Sequence, residues 1–266
     1  MTDTAAKKKG KKRGVDQSLI GHLRELRSAL FKILIGLLVG IVFGWIVYEP
    51  VFQFLQQPML DIANSDGNRL VSVNFAGIGT AFTVQLKVAC FIGVVVTCPW
   101  WVWQLAAFVG PGLLKRERKI LIIASVVSVP LFLLGILLAW YFLPPSIRIL
   151  TGFAPDFTAT MVNAEVYFDF VLKMALAFGF SFLLPVVMVG LMFMGIVSSS
   201  AWLRGWRWAT LLAFLFAAVA SPSGDILTMS GLALPILVLY FGAIGIGAIH
   251  ERRQVKRLEK GDFAGI

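Results

Sequence analysis

The stretch ILIIASVVSVPLFLLGILLAWYFL, residues 120–143, decides the fold class of this chain. It contains no charged residue, and it is longer than the about 20 residues that an α-helix needs to cross the hydrocarbon core of a bilayer. Five more predominantly apolar stretches occur at residues 30–48, 82–103, 167–196, 206–220 and 226–249. The sequence therefore predicts an all-α polytopic membrane protein with six transmembrane helices.

The overall composition agrees with a membrane protein. Hydrophobic residues make up 58% of the 266 residues and charged residues only 14%, whereas soluble domains carry roughly 25% charged residues. The formal net charge is +10, but the basic residues are spread over four segments beside the spans and form no single basic face. This spread favours anionic lipid over nucleic acid as a partner.

Lysine and arginine are distributed unevenly between the two sides of the predicted spans. Eight lie before the first span, four in the 104–119 loop, two in the 197–207 loop and five after residue 249, whereas the opposite side has only Arg69 and Arg148. Cytoplasmic segments carry the excess of positive charge. Both termini are therefore predicted to be cytoplasmic.

Three segments are expected along the chain: a disordered basic tail at 1–14, a six-span membrane domain at 15–250 and a basic cytoplasmic tail at 251–266. Three external loops are predicted, at residues 49–81, at 144 to about 165, and at the very short 221–225. The apolar part of the first, 51–62, is expected to lie against the membrane surface. Prolines fall in or at the ends of four spans, where each removes a backbone hydrogen bond and is expected to bend the helix. They are Pro99, Pro130, Pro185 and Pro235.

The fifth predicted span, 206–220, is unusually short. Its helix would measure about 22 Å at 1.5 Å per residue, against a hydrocarbon core of roughly 30 Å. Either the bilayer thins there or a partner covers the mismatch. The fifth and sixth spans are therefore expected to form a side of the molecule where single-span partners dock.

Two glutamates lie in basic clusters where spans begin: Glu25 in HLRELR, residues 22–27, and Glu117 in KRERK, residues 115–119. On a helix a carboxylate pairs with residues three or four positions away, and around both glutamates those positions hold no Lys or Arg. The turn expected at Gly110-Pro111-Gly112 presents Glu117 at the start of the third span. Two such acids at the cytoplasmic surface predict a receptor for a cationic ligand.

Other ionisable residues give weaker indications. His22 could hydrogen-bond Glu25, but His22 and His250 do not combine with a nucleophile and an acid into a catalytic set, so the chain is predicted not to be an enzyme. Lys87 and Lys173 lie within spans but near their external ends, and Asp169 is placed to pair with Lys173. The centres of the spans contain no acid, which counts against ion-coupled transport. A six-span transporter for a small molecule or ion remains the alternative.

These motifs resemble the TatC family, the polytopic receptor subunit of the twin-arginine protein translocase. HLRELR resembles the family's amino-terminal His-Leu-x-Glu-Leu-Arg. Residues that follow the family's second span and first cytoplasmic loop in order are Phe82, Lys87, Gly93, Pro99, Gln104, Phe108, Pro111, Gly112, Leu113, Glu117 and Arg118. Further matching positions are Pro58, Ala177, Phe178, Gly179, Pro185, Ser221, Pro222, Asp225, Leu234, Pro235 and Tyr240.

The resemblance implies a receptor in the bacterial cytoplasmic membrane that binds twin-arginine signal peptides of folded proteins and nucleates a translocase. It also implies single-span TatA and TatB-type partners, no cofactor, and energy from the transmembrane proton gradient. Glu25 and Glu117 would receive the two arginines, with Phe108 and Gln104 beside them. The rest of the expected site comprises His22, Arg24, Arg27, Pro111, Gly112, Arg116 and Arg118.

The chemistry of an arginine pair fits two separate acceptors. Consecutive side chains of an extended peptide point to opposite faces, and a guanidinium binds a carboxylate through two parallel hydrogen bonds. The four arginines beside the two glutamates are expected to keep both acids ionised. The chain departs from the family at Leu183, Leu184 and Phe241, where polar or acidic residues are common, so no role of those residues is transferred.

Overall fold

The computed structural model describes residues 19–65, 72–75, 77–151, 161–220 and 226–259. Within these ranges the chain forms nine α-helices, one 3₁₀ turn and two three-residue strands, which confirms the predicted all-α membrane protein. The helices are α1 Leu19–Ile46, α2 Tyr48–Ser65, α3 Thr80–Val96, α4 Cys98–Val109, α5 Lys115–Thr151, α6 Ala164–Phe193, α7 Ser199–Arg204, α8 Trp206–Ala220 and α9 Ile226–Glu259. The tail at 1–14 and the position of Asp225 lie outside the described residues.

Four of the described helices, α1, α5, α6 and α9, are long and apolar enough to cross a membrane. The pair α3 and α4 passes the same test jointly as one broken span, which makes four or five candidate spans in the described ranges. The shorter apolar helix α8 has 15 residues and the bounds expected for the fifth span. Helices α5, α6 and α9 run without interruption through Pro130, Pro185 and Pro235.

The second predicted span is broken near Pro99, as its proline suggested. Helix α3 ends at Val96, α4 begins at Cys98, and the two axes differ by 57°. Pro99 lies in the first turn of α4, where the missing N–H of a proline is tolerated. The Thr97 hydroxyl at the break donates to the Gly93 carbonyl at 2.7 Å. The bend therefore coincides with a helix start that proline favours.

The prediction of an external loop at 49–81 was wrong over its first part. Residues Tyr48–Ser65 form α2, in which Leu55 and Met59 are buried and pack into the main hydrophobic core. The Tyr167 hydroxyl on α6 donates to the Leu55 carbonyl at 2.7 Å. Side chains four residues apart lie on one helix face, so the bundle covers the face of α2 that carries Leu55 and Met59, whereas Phe54 and Leu60 of the same helix remain exposed.

The second external loop also begins later than expected. Helix α5 continues through Pro144 and Pro145 to Thr151. Leu143 and Ile147, four residues apart, are both buried in the main core. The proline rule is local, and here tertiary packing of this helix face outweighs the loss of backbone hydrogen bonds.

Helices α5 and α6 form the centre of the bundle, and α1 packs on α3 and α4 along a row of glycines. A Cβ added at Gly40 would lie 2.9 Å from the Gly93 carbonyl oxygen, and one added at Gly44 would lie 2.5 Å from the Ala89 carbonyl oxygen. Such spacing lets two helix backbones approach closely. The Trp100 indole on α4 donates to the Lys32 carbonyl at 3.0 Å, so α1 is fixed along most of its length.

This packing brings several helix ends together at what we call the amino-terminal end of the bundle, the end at which α1 begins. The end of α4, the start of α5, the end of α6 and the last turns of α9 also lie there, as the contacts described below show. The strands β1 Ser72–Asn74 and β2 Met161–Asn163 pair in parallel. They join the α2–α3 and α5–α6 connections at the opposite end.

Candidate functional site

Three predicted site residues meet where α1 begins. His22 Nδ1 lies 3.9 Å from Glu25 Oε2, too far for a hydrogen bond but within ion-pair distance if the ring is protonated. The His22 ring stacks on Phe108 of α4, with centroids 4.6 Å apart and planes inclined by 27°. Phe108 therefore positions the histidine that stands beside Glu25.

Gln104 lies one turn before Phe108 on α4 and is buried. Arg24 and Arg27 on α1 are exposed. The expected site on α1 and α4 thus combines the buried Gln104 and the stacked His22–Phe108 pair with two exposed arginine side chains.

The turn expected between the second and third spans is a 3₁₀ turn, Gly110–Gly112, in which Leu113 N donates to the Gly110 carbonyl at 3.2 Å. Pro111 supplies its fixed φ there, and both Pro111 and Gly112 are exposed. The chain then starts α5 at Lys115, which places Glu117 in the first helical turn.

Glu117 has a local role that the sequence analysis did not include. Its Oε2 accepts a hydrogen bond from Leu114 N at 2.9 Å. A glutamate at the third helical position satisfies a free N–H in this way in a capping box. The signal was present, since a glutamate three residues after a turn is typical of a helix start. Carboxylates have about four lone-pair sites, so this cap leaves acceptor capacity for a ligand.

Glu117 opens onto a cavity of about 300 Å³ between α5, the end of α6 and α9. Arg116 lines the same cavity, whereas Arg118 and Pro111 line a separate cavity of about 260 Å³ between α4 and α5. The other lining residues of the Glu117 cavity are Leu114, Ile120, Phe193, Met194, Gly195 and Gln254.

The residues from α6 and α9 in this cavity were missed by sequence reasoning. One of them had a readable signal: Gly195 has φ +75°, and a glycine just after an apolar run is typical of a helix end. Gln254 lies in the polar and charged segment that follows the long apolar run of α9, and it gave no such signal.

Other predicted positions lie away from this site. Pro58 is buried in α2, and Phe82 packs edge-on against Trp45 of α1 with centroids 5.9 Å apart. Lys87 contacts Glu165 and Asp169 on α6, each at 3.1 Å, and Asp169 also pairs with Lys173. The expected Asp169–Lys173 pair is confirmed. These four charges form a mixed cluster near the opposite end.

An apolar groove of about 630 Å³ lies between α6, α8 and α9. Leu212, Leu215 and Leu237 line it, together with Trp202 and Tyr240 near the amino-terminal end. The Tyr240 hydroxyl donates to the Trp202 carbonyl. Among the residues that the structure describes, no group of His, Cys, Asp or Glu side chains is arranged to hold a metal ion.

The family model described as Sec-independent protein translocase protein (TatC) matches residues 21–235. A curated relative from Xylanimonas cellulosilytica, named Sec-independent protein translocase protein TatC, is 44% identical over 236 residues, which is 89% of this chain and 85% of the relative. A relative of the same name from Synechocystis sp. is 38% identical over 87% of this chain and 88% of its own length.

The fold is also similar to solved structures. A crystal structure titled Twin Arginine Translocase Receptor- TatC superposes with a TM-score of 0.76 at 28% sequence identity. The match covers 86% of this chain and 98% of the other.

Proposed function

Since the chain belongs to the TatC family of Sec-independent protein translocase proteins, we propose that Glu25 and Glu117 jointly receive the paired arginines of a twin-arginine signal peptide. The protein is a multi-pass membrane protein and the receptor subunit of a twin-arginine translocase. The proposal assigns the recognition of the arginine pair to particular side chains.

The observation that carries the proposal is that one short stretch of chain, residues 108–117, lies beside the His22–Glu25 pair at its first residue and carries Glu117 at its last. Phe108 stacks on His22 beside Glu25, and nine residues later, after the 3₁₀ turn, Glu117 caps α5. An extended peptide directs consecutive side chains to opposite faces. Two acids on different helices can therefore accept two adjacent arginines without competing for one.

The neighbouring residues favour arginine over lysine. The face of an aromatic ring attracts a planar guanidinium, and the Phe108 ring already holds one flat partner, His22. A carboxylate binds a guanidinium through two parallel hydrogen bonds, a geometry that the lysine ammonium does not match. The site would thus discriminate between two side chains of equal charge.

The test measures affinity for a fluorescent twin-arginine peptide on the purified full-length protein. An exposed ion pair contributes about 0.2 to 1 kcal/mol, and bonds to charged groups at a partly desolvated site roughly 1.5 to 3 kcal/mol. Glu25→Gln and Glu117→Gln should therefore each weaken binding about tenfold to a hundredfold. The matched control is Glu49→Gln, because Glu49 is an exposed acid at the start of α2.

Double-mutant cycles decide whether the contact is direct. Each Gln variant is paired with peptides in which one arginine is replaced by lysine, and a direct contact gives a coupling energy. Additive effects for both acids, or an unchanged affinity in both Gln variants, would falsify the joint-receptor proposal and leave the glutamates with local roles.

The proposal includes the topology that the charge bias indicates: six spans in the bacterial cytoplasmic membrane with both termini cytoplasmic, flanked by basic tails at 1–14 and 251–266 that attract anionic lipid. Single cysteines at positions 115 and 204 should resist an impermeant thiol reagent in intact cells, and one at position 66 should react. Labelling at 115 from outside would contradict this topology.

Single-span TatA and TatB-type partners would dock in the groove between α6, α8 and α9. Support comes from its apolar lining and from the 15 residues of α8, which leave about 8 Å of a roughly 30 Å core unmatched. Photo-crosslinkers at Leu212, Leu215 and Leu237 should capture small membrane proteins. Capture only from α1 or α5 would contradict the proposal.

A further inference from the structure

We propose that Gln254, on the part of α9 that extends beyond the apolar span, is a further binding residue for the arginine received by Glu117. This inference rests on the proposed function of Glu117. The structure brings the two residues together because both line the cavity of about 300 Å³ at the amino-terminal end of the bundle.

The cytoplasmic-tail sequence expected after residue 250 begins as an ordered helix. α9 continues to Glu259, ten residues past Ile249. Glu251 fixes this extension to the next connection: its Oε1 accepts from Ser199 N at 2.7 Å, and its Oε2 accepts from the Ser199 hydroxyl. Ser199 is buried at the start of α7. The extension is therefore held against the α6–α7 connection.

A second contact orients Gln254 itself. The His250 ring stacks on Phe193 of α6, with centroids 4.0 Å apart and planes inclined by 25°. Gln254 Nε2 lies 3.0 Å from His250 Nε2. When the ring is neutral and protonated on Nδ1, the amide donates to this nitrogen. The Gln254 Oε1 then remains as an acceptor, and Phe193, which also lines the cavity, fixes the ring that directs it.

The Gln254 amide oxygen adds a neutral hydrogen-bond acceptor to the cavity that Glu117 lines. A guanidinium has five N–H donors in a fixed fork, and Glu117 already accepts from Leu114 N. Arg116 lines the same cavity and would repel an incoming cation. A neutral acceptor on the facing wall adds a hydrogen bond for the guanidinium without attracting Arg116 as strongly as a second carboxylate in the cavity would. Because His250 fixes the direction of the Gln254 amide oxygen, this acceptor suits the rigid fork of arginine better than the flexible ammonium of lysine.

Gln254→Met tests the inference because it keeps the length and helix propensity of the side chain and removes the amide. Binding of a twin-arginine peptide should weaken about fivefold, below the full effect of a charge-assisted bond because Gln254 is exposed. Binding of a twin-lysine peptide should change less than twofold. His250→Phe keeps the ring beside Phe193 and should give a smaller loss in the same direction. Val255→Met, an exposed neighbour that does not line the cavity, is the control.

The outcomes separate this inference from the proposed function. Weakened binding in Glu117→Gln together with unchanged binding in Gln254→Met overturns the role of Gln254 and leaves the glutamate receptor standing. Unchanged binding in both variants overturns both. An equal loss for arginine and lysine peptides in Gln254→Met also overturns the inference, because it indicates a general disturbance. Non-additivity between Gln254→Met and Glu117→Gln supports a shared arginine.

Discussion

The close packing of α1 predicts that even one methyl group at Gly44 disturbs the proposed site at the amino-terminal end of the bundle. A Cβ at this position would lie 2.5 Å from the Ala89 carbonyl oxygen and 3.0 Å from Ile92 Cβ. Favourable contacts between heavy atoms are at about 3.5 to 4.0 Å, so α1 would have to move away from α3 by about 1 Å. Both neighbours are parts of a helix and cannot rotate aside.

The loss of stability in Gly44→Ala is best measured against the same substitution at a glycine with free space around it. Replacing Gly by Ala in a helix gains up to about 1 kcal/mol of propensity, and Gly245 of α9 has no described atom within 4 Å of an added Cβ. Gly245→Ala therefore shows the propensity gain alone, and Gly44→Ala shows it together with overpacking, which costs about 1 to 3 kcal/mol. The thermal midpoint of Gly44→Ala in detergent should lie below that of Gly245→Ala by several degrees.

The functional consequence follows from the position of Glu25 on the same helix. Moving α1 away from α3 also shifts His22 and Glu25 relative to Phe108 of α4. We expect twin-arginine peptide affinity to fall in Gly44→Ala and to stay unchanged in Gly245→Ala. Equal midpoints for the two alanine variants would refute the close contact between α1 and α3, whatever the affinities.

Three more outcomes follow from described contacts. Lys87→Met should lower the free energy of unfolding by about 1 kcal/mol more than Lys173→Met after allowing for solvent screening, and so give the lower thermal midpoint, because Lys87 contacts two acids; equal midpoints at low salt would contradict this. Glu251→Gln should speed hydrogen exchange of the α7 amides, since the charge-assisted bond to Ser199 N is weakened; unchanged exchange would argue that the Glu251–Ser199 contact does not stabilise α7. Phe108→Leu should weaken twin-arginine peptide binding severalfold without lowering the midpoint as Gly44→Ala does, and unaltered binding would remove the ring from the site.

Apolar runs were sufficient to predict the four or five candidate spans of the described residues, because a lipid environment requires every backbone group to be paired within the helix. The bounds of α8 follow directly from this rule. The rule fails where a helix continues beyond the apolar run. At Pro144 the sequence indicates the end of a helix, but α5 continues because Leu143 and Ile147 are buried in the core. Their burial depends on residues distant in the chain.

The candidate site was predictable in the parts that are continuous in sequence. His22, Glu25 and Glu117 lie in short sequence motifs, and the sequence Gly-Pro-Gly at 110–112 predicts the turn before Glu117. The wall formed by Phe193 and Gln254 was not predictable, because it depends on where α6 and α9 end relative to α5. No local pattern encodes that three-dimensional relation.

The two charged regions of the bundle differ in what their acids contact, and this difference favours the proposed arginine site at the amino-terminal end over one at the opposite end. Near the opposite end, Asp169 has lysine ammonium groups on both sides, one at 3.1 Å and one closer. An incoming cation would have to displace an existing charge pair there. Glu117 instead accepts from a neutral backbone N–H, which leaves its charge uncompensated by that bond. A guanidinium can approach the same carboxylate and add to the cap, so binding an arginine need not break the helix start that presents the acid.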